Sequence, residues 1–213
     1  YNLYQIKQSE KGKTKKRTSS SSVRVLKICA QINEELVLQQ KVVVLVRLLE
    51  FVKTDSGSIT EQEMAFISTV SETFLVPDDE FQYLCQFVLS PFDSIPDSSN
   101  ILTVNSLQQT ENLNQKHLQV EAFQGEIKIL NVEYASILFL RYFGDHELYL
   151  NGHLLHKDKV FVLNNGASIR DTRIKPIYYS DIVGRFALDR IKEKILFEVK
   201  DIEYRFRGGK VGL

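Results

Sequence analysis

The spacing of apolar residues changes once along this chain of 213 residues, and that change constrains the fold more than any other feature. As far as Leu89, apolar residues recur every three or four positions, which is typical of one face of an α-helix. From residue 116 they alternate with polar residues, which is typical of a half-buried β-strand. The sequence therefore predicts an α+β protein, with a helical bundle at 23–90, a proline- and serine-containing linker at 91–115 and a β-rich module at 116–192.

Four helices are expected before the boundary. Ser22 is the predicted cap of the first helix, and Thr60 and Glu63 form a predicted capping box at the start of the third. The fourth helix is expected to begin after Pro77, with acidic residues in its first turn, and to end at Pro91. The second helix carries one apolar stripe, formed by Val42, Leu45, Val46 and Leu49.

The β-rich module has two clear signals. Residues 136–143 are apolar on both faces, which predicts a central strand. The pair Asn151-Gly152 separates two apolar runs and tolerates the positive φ of a type I′ turn, which predicts a hairpin. Shorter strands are expected at 118–122, 127–129, 160–163, 168–170 and 177–179, with a helix at 180–191.

Charge is unevenly distributed, although the chain has no net charge. Residues 1–22 are basic and then serine-rich, which predicts a flexible linker, with a tether for anionic lipid or nucleic acid as the alternative. The zero total gives no global drive toward either partner. Cys29 and Cys85 lie in apolar helical patterns and are expected to be buried thiols in a reducing compartment. Both ends of the chain look like cuts, so we expect a fragment.

The loop from Asp55 to Glu63 resembles the second half of a calcium-binding EF-hand loop. Its first ligand positions would fall on Val52 and Thr54, which cannot supply carboxylates, so that interpretation fails. A second group of metal-type residues is expected to be a set of surface hairpin side chains: His146, His153 and His156, near Asp145 and Asp158. No combination of nucleophile, base and oxyanion donor can be assembled, so no catalysis is expected of the fragment.

The helix pair, its short Asp/Gly loop and the following Ile59-Thr60-x-x-Glu63 resemble the TerB-like (tellurite-resistance) family over residues 23–89. Some members of that family carry acidic residues at this loop that bind metal, and Asp55 and Glu63 are the corresponding positions. The loop is one residue longer than the family pattern. The resemblance implies a helical module with a metal site, and a helix cap with a solvated loop is the alternative.

The run ELYLNGHLLHKDKVFVLNNGASIR at 147–170 is similar to the second half of a forkhead-associated (FHA) domain. The resemblance implies an antiparallel β-sandwich, and many such domains bind phosphothreonine. The Gly-Arg pair and the Ser-x-x-His segment that belong to phosphate recognition are lacking in 116–143. Arg141, inside an apolar strand, is a poor substitute for them.

Residues 197–213 look like the opening strand of an ABC-transporter nucleotide-binding domain, and Phe206 matches the aromatic residue that stacks on adenine. The phosphate-binding pattern G-x-x-x-x-G-K-[ST] does not occur here, so 193–213 would be a truncated opening strand that cannot hydrolyse ATP.

The three resemblances together imply the N-terminal cytosolic region of a bacterial ABC exporter's ATPase subunit. Its role would be regulatory or scaffolding, without a cofactor of its own, while the parent protein would use ATP and magnesium. Expected partners are its own ATPase and membrane domains, a homodimer mate or another protein, and no nucleic acid, at the cytoplasmic side of the inner membrane. The alternatives are a stand-alone protein- or phosphopeptide-binding module and a divalent-metal sensor.

Overall fold

The computed structural model describes residues 17–56, 59–108, 116–157 and 159–187. Those residues form an α+β fold with five α-helices and two β-sheets. The helices are α1 (Arg17–Glu35), α2 (Leu38–Ser56), α3 (Glu61–Thr73), α4 (Asp78–Leu89) and α5 (Tyr179–Ala187), with a 3₁₀ turn at Phe92–Ser94.

Two of the predicted helix starts are confirmed, and one is wrong. The capping box at the start of α3 is present: Thr60 Oγ1 accepts the Glu63 N–H at 3.2 Å, and Glu63 Oε2 accepts the Thr60 N–H at 3.0 Å. Helix α4 begins directly after Pro77. Helix α1 begins at Arg17, so Ser22 lies inside it and the prediction of a cap there is wrong. An established helix extends readily through serines, because each added residue gains one hydrogen bond.

The strands are β1 (Ile101–Asn105), β2 (Lys116–Gln119), β3 (Glu126–Val132), β4 (Ile137–Phe143), β5 (Tyr149–Leu150), β6 (His153–Leu154), β7 (Val160–Leu163), β8 (Ser168–Arg170) and β9 (Ile177–Tyr178). One sheet has the order β2-β1-β3-β4-β7, and the other has the order β6-β5-β8-β9. The predicted hairpin is present, with φ of 50° at Asn151 and 84° at Gly152.

Two features of the larger sheet correct the sequence-based expectations. Strand β1 lies within 91–115, the range predicted to be a linker, and it pairs with both β2 and β3. Polar residues on both sides hide its short apolar run. Strands β1 and β2 are parallel, whereas a purely antiparallel sandwich was expected. In a parallel pair both strands run in the same direction, so β1 and β2 begin at the same end of the sheet.

The five-stranded sheet is buried on both faces, as predicted for its central strand. Along β4, Ile137 and Phe139 belong to the core shared with the helices, while Leu138, Leu140 and Tyr142 belong to the core between the two sheets. Successive side chains of a strand point to opposite faces, so β4 serves both cores at once. The order of layers is helices, five-stranded sheet, four-stranded sheet.

Helix α5 packs beside β2 and β9, at one side of the sheet pair. Its Ile182 is fully buried in the core between the sheets. The predicted helix at 180–191 is present as far as residue 187. The predicted strand at 193–213 and residues 1–16 of the linker predicted at 1–22 lie outside the described residues. The rest of that predicted linker, 17–22, is helical and belongs to α1.

Candidate functional site

Two cations from distant parts of the chain bind the carbonyl end of helix α4. Arg141 on β4 donates from Nη1 to the carbonyl oxygens of Phe87 at 2.6 Å and Ser90 at 2.9 Å. Lys53 on α2 donates from Nζ to the Val88 carbonyl at 2.8 Å. These side chains satisfy carbonyls that a helix end leaves unpaired, and they place positive charge at the negative end of the helix dipole. The last turn of α4 itself contains no basic residue.

A third contact lies at the turn after α4. We call the contacts made by Lys53, Arg141 and Lys128 the junction. Lys128 on β3 is 6% exposed and donates from Nζ to the Ile95 carbonyl at 3.0 Å. Lys128 and Arg141 are direct cross-strand neighbours on the face of the sheet that meets the helices. The Phe92 ring lies 5.5 Å from Lys128 Nζ and 5.8 Å from Arg141 Cζ, which is within range of a cation–π interaction. The junction is therefore a set of buried polar contacts inside the apolar core that the helices share with the five-stranded sheet.

Helix α2 binds one backbone position on the outer edge of strand β7. The Val160 N–H donates to Glu50 Oε1 at 2.8 Å, and the Val160 carbonyl accepts from Arg47 Nη1 at 2.8 Å. Arg47 and Glu50 are also paired with each other. An open strand edge offers N–H and C=O groups to another chain, and here the side chains of α2 occupy one such pair.

The opposite end of α4 is attached to the turn between β3 and β4. Glu80 is 7% exposed, and its Oε1 accepts the Tyr134 N–H at 3.1 Å. Burial raises the pKa of Glu80, with smaller contributions in the same direction from Asp79 and Glu133, while the backbone hydrogen bonds oppose the shift. This carboxyl group therefore connects helix to sheet in an environment that disfavours its charged form.

A polar chain crosses three strands near the β2 edge. His117 Nε2 lies 2.8 Å from Asn105 Oδ1, and Asn105 Nδ2 donates to Glu126 Oε2 at 3.0 Å. The buried Nδ1 of His117 has no hydrogen-bond partner in the described part of the chain. Burial lowers the pKa of His117, Arg185 adds to the decrease, and Glu126 opposes it. The neutral imidazole is favoured in the folded protein.

Of the two residues predicted as a metal site, the structure describes the side chain of Glu63 and not that of Asp55. Glu63 is held in the capping box, and its Oε2 also accepts from Thr60 Oγ1 at 2.9 Å. Asp55 lies in the last turn of α2, but its side chain is outside the described part of the molecule. Among the described residues, no group of three or more His, Cys, Asp and Glu side chains has the arrangement of a metal site. Phe206 lies outside the described residues.

The hairpin histidines are spread over the surface. His153 and His156 are exposed, and His146 contacts the side-chain oxygen of Gln124. Asp145 pairs with Lys157 at 2.7 Å, and that ammonium group lowers the pKa of Asp145. Asp158 is not among the described residues.

Both cysteines are buried, as predicted, and neither forms a disulfide. Burial raises the pKa of the Cys85 thiol to about 11 and also raises the pKa of Cys29. The thiol form is therefore favoured at neutral pH, which makes both groups poor nucleophiles.

Two of the clefts formed by the described residues open on the sheet pair. The larger, about 450 Å³, lies between the end of β2 and the segment that joins β8 to β9. The smaller, about 240 Å³, lies between α5 and the turn from β3 to β4. Arg173 and Lys175 line the larger cleft.

No local sequence pattern predicts the contacts of the junction cations. From the sequence, Arg141 is only a poor phosphate ligand, and no pattern distinguishes Lys128 or Lys53 from other lysines. A charged residue inside a strand that is apolar on both faces was the available signal, because such a charge needs a buried partner.

Comparisons with known proteins identify no family for this chain. No family model matches the chain, and no curated protein matches it. Among solved structures, the crystal structure of the MEK1 FHA domain matches with 18% identity and a TM-score of 0.25, over 37% of this chain and 68% of that one. The likeness is a weak one. Within the described residues, no helix is both long enough and apolar enough to cross a membrane.

Proposed function

We propose that this chain is a non-catalytic regulatory or scaffolding region of an ABC-type transporter ATPase subunit. In this proposal residues 23–90 are a TerB-like module, 116–192 an FHA-like module, and 193–213 the start of the ATPase domain. The parent protein would bind ATP and magnesium at the cytoplasmic side of the inner membrane. Its own ATPase and membrane domains would be the first partners.

The observation that carries the accessory role is the shared junction between helices and sheet. Lys128 and Arg141 place their charges on backbone carbonyls of the helical half, so these cations hold the two halves together. A unit bound in this way moves as one body, which suits a part that transmits position to a neighbouring domain. The ABC identity rests on the order of the three sequence resemblances, of which the one at 197–213 is to the ATPase domain itself.

Two measurements test the proposal. The coding sequence beyond Leu213 should contain a phosphate-binding loop within about 30 residues, since the glycine-rich loop follows the opening strand in that family. ATP turnover of the longer protein should change when residues 17–187 are deleted. A continuous reading frame without such a loop, or turnover unaffected by the deletion, would refute the assignment.

The metal-sensing alternative is disfavoured by the capping box. Glu63 already accepts hydrogen bonds from the Thr60 N–H and hydroxyl groups, so calcium would have to compete with the start of α3. The phosphopeptide alternative receives no specific support from the described loops.

A further inference from the structure

Strand β2 ends the five-stranded sheet, and in the described residues no strand pairs with its outer side. The N–H of Val120, directly after β2, donates to the Asn105 carbonyl of β1 at 2.8 Å. Backbone groups alternate in direction along a strand, so the N–H and C=O of Gln119 and of His117 point away from β1. A row of outward backbone groups is a template for another strand.

The two edges of this sheet differ in the contacts that their backbone groups make. At the β7 edge, Arg47 and Glu50 bind both backbone groups of Val160. At the β2 edge, the outer side opens beside the cleft of about 450 Å³, whose walls include Gln119 and Val120. Among the described residues, α2 binds one position on the β7 edge and no strand pairs with the β2 edge, which favours a binding role for the β2 edge.

The cleft carries positive charge on its far wall. Arg173 and Lys175 are exposed there, and within the described ranges neither takes part in an ion pair. Of the two acids that line the cleft, Asp181 accepts the Tyr178 N–H at 3.0 Å at the start of α5, and Glu121 follows β2. Pro176 and Ile177 also line the cleft.

We propose that the β2 edge and this cleft bind an extended, acidic peptide segment of a partner protein, which adds to the sheet as a further strand. Backbone pairing with Gln119 and His117 would supply affinity, and alternate side chains would enter the cleft. Acidic side chains there would meet Arg173 and Lys175, whose charges select against basic segments. This inference deepens the accessory role proposed above and depends on it, because it names the kind of partner that such a region would hold.

The test uses the full chain and a fluorescein-labelled peptide of about ten residues, a length that spans the edge, in which valine alternates with glutamate. Fluorescence anisotropy should show saturable binding that weakens as sodium chloride is added, because surface charges are screened. Arg173→Glu with Lys175→Glu should weaken binding at least about ten-fold. The matched control is Arg24→Glu with Lys27→Glu, which reverses two exposed cations on α1 and should leave the affinity unchanged.

Modified peptides test the backbone contacts without changing the protein. Methylation of the peptide nitrogens of every glutamate, or instead of every valine, removes donors from one side of the added strand only. One of the two peptides should lose binding and the other should keep it. A peptide in which lysine replaces glutamate should bind at least about ten-fold more weakly than the acidic one.

Several results would overturn the proposal: no binding of the acidic peptide, equal binding of the lysine peptide, or equal binding of both methylated peptides. Binding to phosphatidylserine vesicles through Arg173 and Lys175, without peptide binding, would assign the cations to a lipid surface instead. None of these results changes the ATP-turnover measurement, which reads the effect of residues 17–187 on a neighbouring domain. Failure of the peptide inference and failure of the accessory role are therefore distinguishable.

Discussion

Arg141 of strand β4, whose side chain is fully buried, donates a hydrogen bond of 2.6 Å to the carbonyl oxygen of Phe87 in the last turn of α4. The two residues are 54 positions apart in the chain. A guanidinium group stays charged in proteins, so this contact places a permanent cation in a dry interface. Its partners are helix carbonyls, whose partial negative charge compensates it.

Replacing Arg141 with methionine should destabilise the fold by about 3 kcal/mol, because the buried Phe87 carbonyl and the partly buried Ser90 carbonyl lose a charged donor. Methionine keeps much of the volume, so the loss reports mainly on hydrogen bonding. The free energy of unfolding from urea denaturation is the measurement. Arg170→Met, at an exposed position at the end of β8, is the matched control and should change stability by less than about 0.5 kcal/mol. Equal effects of the two variants would contradict the role given to the junction.

Replacing Glu80 with glutamine should stabilise the protein at neutral pH by about 1 kcal/mol, since the variant keeps an acceptor for the Tyr134 N–H without a buried charge. The pKa of Glu80 is raised in the folded state, so the folded state binds this proton more tightly and wild-type stability falls as pH rises through the acid range. The advantage of the variant should therefore disappear below pH 4.5, the ordinary pKa of the group.

The control for Glu80 is Glu121→Gln, which removes an exposed carboxylate and should leave the pH profile unchanged. A destabilised Glu80→Gln variant at pH 7 would show that the carboxylate charge is required at this contact.

His117 should make stability depend on pH with the opposite sign. Its pKa is lowered in the folded state from 6.5, so the unfolded chain binds the proton more readily. The stabilisation is complete above pH 6.5 and declines as pH falls below that value, with a slope of at most about 1.4 kcal/mol per pH unit. His117→Gln should flatten the profile between pH 6.5 and the folded-state pKa, whereas His153→Gln, at an exposed site, should not.

Glu63→Gln separates capping from metal binding. Glutamine can accept the Thr60 N–H, so thermal stability should stay close to that of the wild type, whereas Glu63→Ala should lose about 1 kcal/mol. Calcium should give no increase in the unfolding temperature of either variant or of the wild type. A calcium-induced increase in the wild type that is lost in Glu63→Gln would instead restore the metal interpretation.

Local patterns in the sequence predicted the parts of the fold that local physics determines. The Thr60–Glu63 capping box and the Asn151-Gly152 turn depend on residues within one turn of each other, and both are present. The apolar stripe of α2 was also predicted correctly, because a helical period of 3.6 residues brings its four apolar side chains to one face. The central position of β4 followed from apolar residues on both of its faces.

The long-range features could not be predicted in this way. Strand β1 was missed because its five residues lie among polar and proline-rich neighbours, and only pairing with β2 and β3 reveals it. The junction was missed because Arg141 and Phe87 are far apart in the chain, and no local rule links a strand cation to a distant helix end. The proposed metal and adenine residues remain predictions, since Phe206 and the Asp55 side chain lie outside the described residues.

Because the five-stranded sheet is covered on both faces, the helical and β-rich halves are poor candidates for exchange between proteins by recombination. A gene fusion that carried 101–187 without 17–95 would bring Lys128 and Arg141 to the surface beside the apolar face that Ile137 and Phe139 now share with the helices. We therefore expect a β-rich half produced without its helices to expose this apolar face and to aggregate.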